Sequence, residues 1–137
     1  MRRVLAAIAG SLALPAWADG LEITLTALRH AQGQVRVGLY ADPQTFRKEA
    51  QALATQAVPA AAGEVRLRFD SLPPGRYAVM AYHDEDGNGE LNRRFGMFPT
   101  EGYGLSNNPE VVGPPAFDAC AFDLPAQGRT LTIEMRY

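Results

Sequence analysis

Cysteine is almost missing from this chain of 137 residues, with Cys120 its single thiol. One cysteine excludes an intramolecular disulfide, so the fold must be held by its core. No cysteine stands directly after the apolar N-terminal stretch, so a bacterial lipid anchor is not expected there. Basic runs are lacking as well. With 13 basic and 15 acidic residues the formal charge is −2, which makes the chain a poor match for nucleic acid. Histidine is limited to His30 and His83. A Ser106/His83/Asp84 triad can be written down, but adjacent residues on a strand point to opposite faces, which separates His83 from Asp84. Gly104-Leu105-Ser106-Asn107-Asn108 is no nucleophile elbow, because Asn108 replaces the final glycine. Catalysis is therefore not expected, and no catalytic residue is assigned.

Long hydrophobic runs are the last absence. The longest, Val4–Leu14, is shorter than the ~20 apolar residues needed to span a bilayer. Arg2 and Arg3 precede it and Ala16-Trp17-Ala18 follows, which together read as a secretory signal peptide over residues 1–18. A mature chain of residues 19–137 is expected, forming one domain that is periplasmic or secreted and has no membrane span. Loss of two arginines makes it more acidic by two charges.

What the chain does have is alternation. Leu21, Ile23 and Leu25 alternate with polar neighbours, as do Val35, Val37 and Leu39, then Val65, Leu67 and Phe69, then Leu131, Ile133 and Met135. A period of two marks half-buried strands. Arg76–Tyr82 breaks the pattern by being apolar on both faces, so it is expected to be a central strand covered on its second face by a loop or partner. Turn signals at Gln32-Gly33, Ala62-Gly63, Pro74-Gly75, Gly87-Asn88-Gly89 and Gln127-Gly128 punctuate the runs. Asp42, Pro43 and the spacing of Phe46, Ala50 and Leu53 predict a short helix near 43–50, while Leu53–Val58 also fits an edge strand. Cys120, between small and aromatic residues, is expected to be a buried hydrophobe in a packed strand.

The stretch Leu72-Pro73-Pro74-Gly75-Arg76-Tyr77 has the form of a tyrosine corner. Pro74 and Gly75 are expected at the central positions of a type II turn, with Gly75 at positive φ. Tyr77 is expected to bury its ring and return its hydroxyl to the backbone near Leu72–Pro74. The fold class is thus all-β, an antiparallel Greek-key β-sandwich of about seven strands with one long irregular loop.

Chemistry concentrates just beyond the corner. Asp84-x-Asp86-x-Asn88-Gly89 follows the first half of a calcium loop, with Glu90 offering a backbone carbonyl at the seventh position and Asn92 at the ninth. The twelfth position is Phe95, where a carboxylate should close the site, so any calcium site must be weak or must borrow a ligand such as Glu101. The competing reading is a solvated hairpin loop of Asx-turns with Arg93 and Arg94 as counter-charges. His83 stands where the central strand meets this loop, in a position to ligate a metal or ligand. A copper site through His83 and Met97 has no spacing signature.

Gly96–Pro115 carries little periodicity and is read as the long loop. Its Tyr103, Ser106, Asn107 and Asn108 would suit a polar ligand, although the amides can equally bond their own loop backbone. The loops 83–92 and 96–115 are expected to form one polar surface, with Asp84, Asp86 or Asn88 touching Tyr103–Asn108.

The run from Phe69 to Phe122, with LPPGRYAVMAYHDEDGNGELN, GMFPTEGYGLSNN and GPPAFDACAF, together with the strand VRVGLY, resembles a family of short exported bacterial proteins, domain of unknown function 2141. The resemblance implies an immunoglobulin-like or transthyretin-like sandwich and carries over no activity. Asn92 stands where that family often has Asp. The functional expectation is an exported, non-catalytic binding or accessory module for a small polar ligand or protein partner. The alternatives are a calcium-stabilised structural domain and, last, an enzyme.

Overall fold

The computed structural model describes residues 17–94 and 98–137. The expected signal peptide lies outside the described residues up to position 16, as do Phe95 and Met97. The elements are β1 (Leu21–Leu28), β2 (Gln34–Tyr40), a 3₁₀ turn (Glu49–Gln51), β3 (Ala54–Pro59), β4 (Gly63–Phe69) and β5 (Gly75–Asp84), followed by β6 (Arg93–Arg94), β7 (Phe98–Pro99), β8 (Tyr103–Leu105), α1 (Phe117–Cys120), β9 (Phe122–Leu124) and β10 (Arg129–Glu134).

Two sheets enclose the core, one ordered β10-β1-β4 and the other β3-β2-β5-β8, with β9 pairing the start of β5. The alternating residues face inward as their period requires. Leu21, Ile23, Leu25, Val35, Leu39, Val79 and Ile133 are all wholly buried in one cluster. Each such side chain stabilises the fold by about 1.5–3 kcal/mol relative to exposure. The all-β sandwich therefore stands, with two differences of detail. β1 and β10 pair in parallel, Leu21 beside Arg129 through Thr26 beside Glu134, so that sheet is mixed. Alternation reports which face a residue takes and is blind to the direction of the neighbouring strand. The long loop is also not wholly irregular, because the short strands β7 and β8 form inside it.

The tyrosine corner forms with its turn displaced. Tyr77 is buried and its hydroxyl donates to the Pro73 carbonyl at 2.5 Å. Gly75 is not at positive φ. It opens β5 and pairs with Leu124 of β9, which demands extended backbone. The left-handed residue is instead Ser71, at φ 57°.

β5 is central and covered on both faces. Tyr77, Val79 and Ala81 join the inter-sheet core, while Ala78 and Met80 join a second cluster with Tyr40, Phe46, Leu105, Phe117 and Cys120. Phe46 anchors that cover, its ring edge-on to Tyr40 at 5.4 Å and to Phe117 at 5.9 Å. The helix expected near 43–50 is reduced to one turn. Asp42 accepts from the Gln44, Thr45 and Phe46 amides, but Arg47 at φ 69° halts propagation, and only the 3₁₀ turn at 49–51 follows. The next residues take the other expected option, since β3 is an edge strand. Cys120 is wholly buried as expected, yet it ends the one-turn helix α1 rather than lying in a strand, and burial pushes its thiol up to about 11.

Candidate functional site

β5 ends at Asp84, wholly buried, and the chain then curls back over that carboxylate. Its Oδ1 accepts from the Asn88 amide at 3.1 Å and its Oδ2 from the Gly89 amide at 2.8 Å. Gly87 and Gly89 sit at φ 71° and 77°, the left-handed geometry such a curl needs. Asp86 also accepts from the Asn88 amide. The Asn92 side chain donates to Asp86 at 2.7 Å and, with that backbone bond, holds its carboxyl below the usual range. Asn88 donates its side-chain amide to Asn92 and accepts from the Glu90 amide.

The closing group arrives from outside the loop. Glu101 is 3% exposed, and its two oxygens accept from the amides of Glu85 at 2.7 Å and Asn92 at 2.9 Å. Carboxylate oxygens of Asp84, Asp86 and Glu101 lie within 4.8 Å of one another. Each hydrogen-bonded oxygen keeps a second lone pair, so the backbone bonds and a shared cation are compatible.

The histidines form a separate group on the sandwich end. His83 is buried, with Nε2 2.6 Å from the Gln32 carbonyl and Nδ1 2.6 Å from the Tyr137 hydroxyl. A carbonyl only accepts, so Nε2 carries the proton and Nδ1 accepts from Tyr137. His30 likewise accepts from the Gln32 amide through Nδ1 and donates through Nε2 to Glu85 at 2.9 Å. His30, His83 and Glu85 could meet one metal by spacing alone. Each imidazole nitrogen, however, already has a protein partner.

The expected joint surface divides. The hydrogen bonds that tie the two loops run through Glu101, through the Thr100 amide, which donates to the Asn92 carbonyl at 2.7 Å, and through Gly102, whose carbonyl accepts from the His83 amide at 2.7 Å. Tyr103–Leu105 then pairs antiparallel to β5, which carries Ser106, Asn107 and Asn108 away from the acidic loop. Tyr103 bonds through its backbone to Arg136. Ser106 is wholly buried, accepting from the Val79 amide at 2.9 Å and donating to the Cys120 carbonyl. Asn107 donates to the Ala121 carbonyl at 2.6 Å. Asn108 donates to the Thr132 carbonyl at 3.0 Å and accepts from the Glu134 amide at 2.8 Å. These groups fasten the connection to α1 and β10, and among the described residues none of them hydrogen-bonds to Asp84, Asp86 or Asn88. The reason is geometric: a strand advances about 3.3 Å per residue, so a short run of β8 separates its two ends.

Sequence reading passed over two features. Tyr137 completes the His83 environment from the far end of the chain, which nothing local announces. Gly38 lies inside β2, and a glycine within a strand is a recognised sign of close approach.

No curated protein and no solved structure matches this chain. A family model described as uncharacterised protein conserved in bacteria (DUF2141) matches residues 23–132, most of the sandwich, and the chain belongs to that family.

Proposed function

We propose that the chain is an exported, non-catalytic binding or accessory module whose 84–92 loop, closed by Glu101, takes up calcium. The observation that carries this reading is the convergence of Asp84, Asp86 and Glu101 oxygens within 4.8 Å. Calcium binds oxygen at 2.3–2.6 Å, so two ligands on opposite sides of one ion stand about 5 Å apart. Magnesium needs near-ideal octahedral geometry and releases its water reluctantly, so a donor set of several carboxylate and amide oxygens suits the larger ion. Glu101 supplies from outside the loop the carboxylate that the twelfth position lacks. The Asn88 and Asn92 side-chain oxygens and the Glu90 carbonyl complete the donor set. With few charged ligands, affinity in the range of extracellular modules, about 0.1–1 mM, is expected.

The non-catalytic part is supported by how the reactive groups are engaged. The Ser106 hydroxyl is tied to backbone, the His83 nitrogens are both occupied, and the Cys120 thiol is buried and protonated. Among the described residues no helix is long and apolar enough to cross a membrane.

The test is calorimetric titration of chelator-treated protein with calcium and, separately, magnesium, with melting curves in both states. Calcium should release or absorb heat and raise the melting temperature, and Glu101→Gln should abolish both effects. If calcium up to about 10 mM changes neither, the loop is a self-sufficient hydrogen-bonded turn and the reading fails.

A further inference from the structure

The outer face of the larger sheet holds a cleft of about 370 Å³. That volume lies within the range of small-molecule sites. Its floor is the cross-strand pair Gly38 and Met80. A Cβ at position 38 would fall 2.8 Å from the Tyr40 hydroxyl and 2.9 Å from its ring, so only glycine lets that ring lie across the strand. Tyr40 and Tyr82 supply the aromatic walls, and Gly89–Leu91 closes one side.

The polar groups of the cleft do not balance. Tyr82 has one hydroxyl proton for two acceptors, Glu49 Oε2 at 2.6 Å and the Gly89 carbonyl at 2.9 Å. One acceptor is therefore left short of a donor. Glu49 is already neutralised by Arg36, 2.7 Å away. Arg47 and Arg93 line the cleft together with one further carboxylate, Glu90, and all three are exposed and without an ion-pair partner among the described residues. The Tyr40 hydroxyl likewise has no hydrogen-bond partner among the described residues, and it is not sealed from solvent. With Glu49 matched by Arg36, the two unpaired arginines outnumber the Glu90 carboxylate by one, so the site combines an apolar, aromatic floor with a net positive charge and one surplus acceptor.

We propose that this cleft binds a small carboxylate with a flat apolar body and a hydroxyl group. Arg47 and Arg93 hold the carboxylate, for which the guanidinium fork is suited. The body rests on Gly38 and Met80 between the tyrosines, and the hydroxyl donates to whichever of Glu49 and Gly89 the Tyr82 proton leaves free. None of Asp84, Asp86 and Glu101 lines the cleft, but Gly89–Leu91 of the same loop forms one side of it, so the test is run both with and without calcium.

The test is a nitrogen–proton NMR titration of the exported protein with 4-hydroxyphenylacetate, run with calcium and again with chelator so that the two proposals fail separately. Tyramine, which keeps the phenol and reverses the charge of the head, is the control. Amide shifts should centre on Gly38, Met80 and Leu91, and tyramine should bind about tenfold more weakly or worse. The double variant Arg47→Asn, Arg93→Gln should weaken 4-hydroxyphenylacetate by about tenfold while melting as the parent does. Asparagine is chosen at position 47 because it tolerates the left-handed backbone there. Equal binding of tyramine, an unaffected double variant, shifts centred elsewhere, or no shifts at about 10 mM probe would each overturn the proposal.

Discussion

Ser106→Ala tests whether the polar residues after β8 serve the fold or a ligand. The hydroxyl is wholly buried, accepting from the Val79 amide at 2.9 Å and donating to the Cys120 carbonyl. Val79 directs both backbone groups to this side, since its carbonyl accepts from the Ser106 amide at 3.0 Å. The serine hydroxyl thus continues the ladder where the chain turns away at Asn107, whose φ is 66°. Alanine would orphan one buried N–H and one buried C=O. Val79 and Cys120 are both at 0% exposure, so water cannot replace the lost partner without opening the sheet. Each orphaned group costs about 1–3 kcal/mol, and with partial relaxation the pair should cost roughly 2–4 kcal/mol. That is a large share of the ~5–15 kcal/mol typical of a domain. Urea unfolding followed by circular dichroism should show a lower midpoint with an unchanged slope. A loss below about 0.5 kcal/mol would refute the reasoning, because the hydroxyl would then be free of the backbone.

Three further outcomes are expected. Tyr77→Phe removes only the bond to the Pro73 carbonyl, and urea unfolding should show a loss of about 0.5–1.5 kcal/mol; no loss would mean the corner is held by ring packing alone. Burial pushes Tyr40 up to about 12 and raises Tyr82 as well, whereas an unfolded tyrosine titrates near 10. Between about pH 10 and 12 the unfolded chain has released protons that the folded chain retains, so stability should be level below pH 10 and fall above it, as denaturant midpoints across that range will show. Mass spectrometry of exported protein should find Asp19 first; a retained N-terminus would instead leave the Ala18 amide on the Leu72 carbonyl, 2.7 Å away.

Much of the sandwich was legible because its causes are local. Alternation at 21–25, 35–39, 65–69 and 131–135 assigns faces whatever the partner strand, and the double-sided apolar run at 76–82 requires a second cover, which Phe46, Phe117 and Cys120 provide. The tyrosine corner and the Asx-rich curl after Asp84 were readable for the same reason, since donor and acceptor lie within a few residues. Tertiary structure decided what depends on distant partners. The parallel pairing of β1 with β10 is one such case, and the use of Ser106, Asn107 and Asn108 as backbone ties is another. The fitting of Glu101 between Glu85 and Asn92 and the cleft over Gly38 are two more. Residue type and spacing set which hydrogen bonds and contacts a side chain is able to make. Which of them it makes is settled only when strands far apart in sequence bring one donor, one acceptor or one ring within reach.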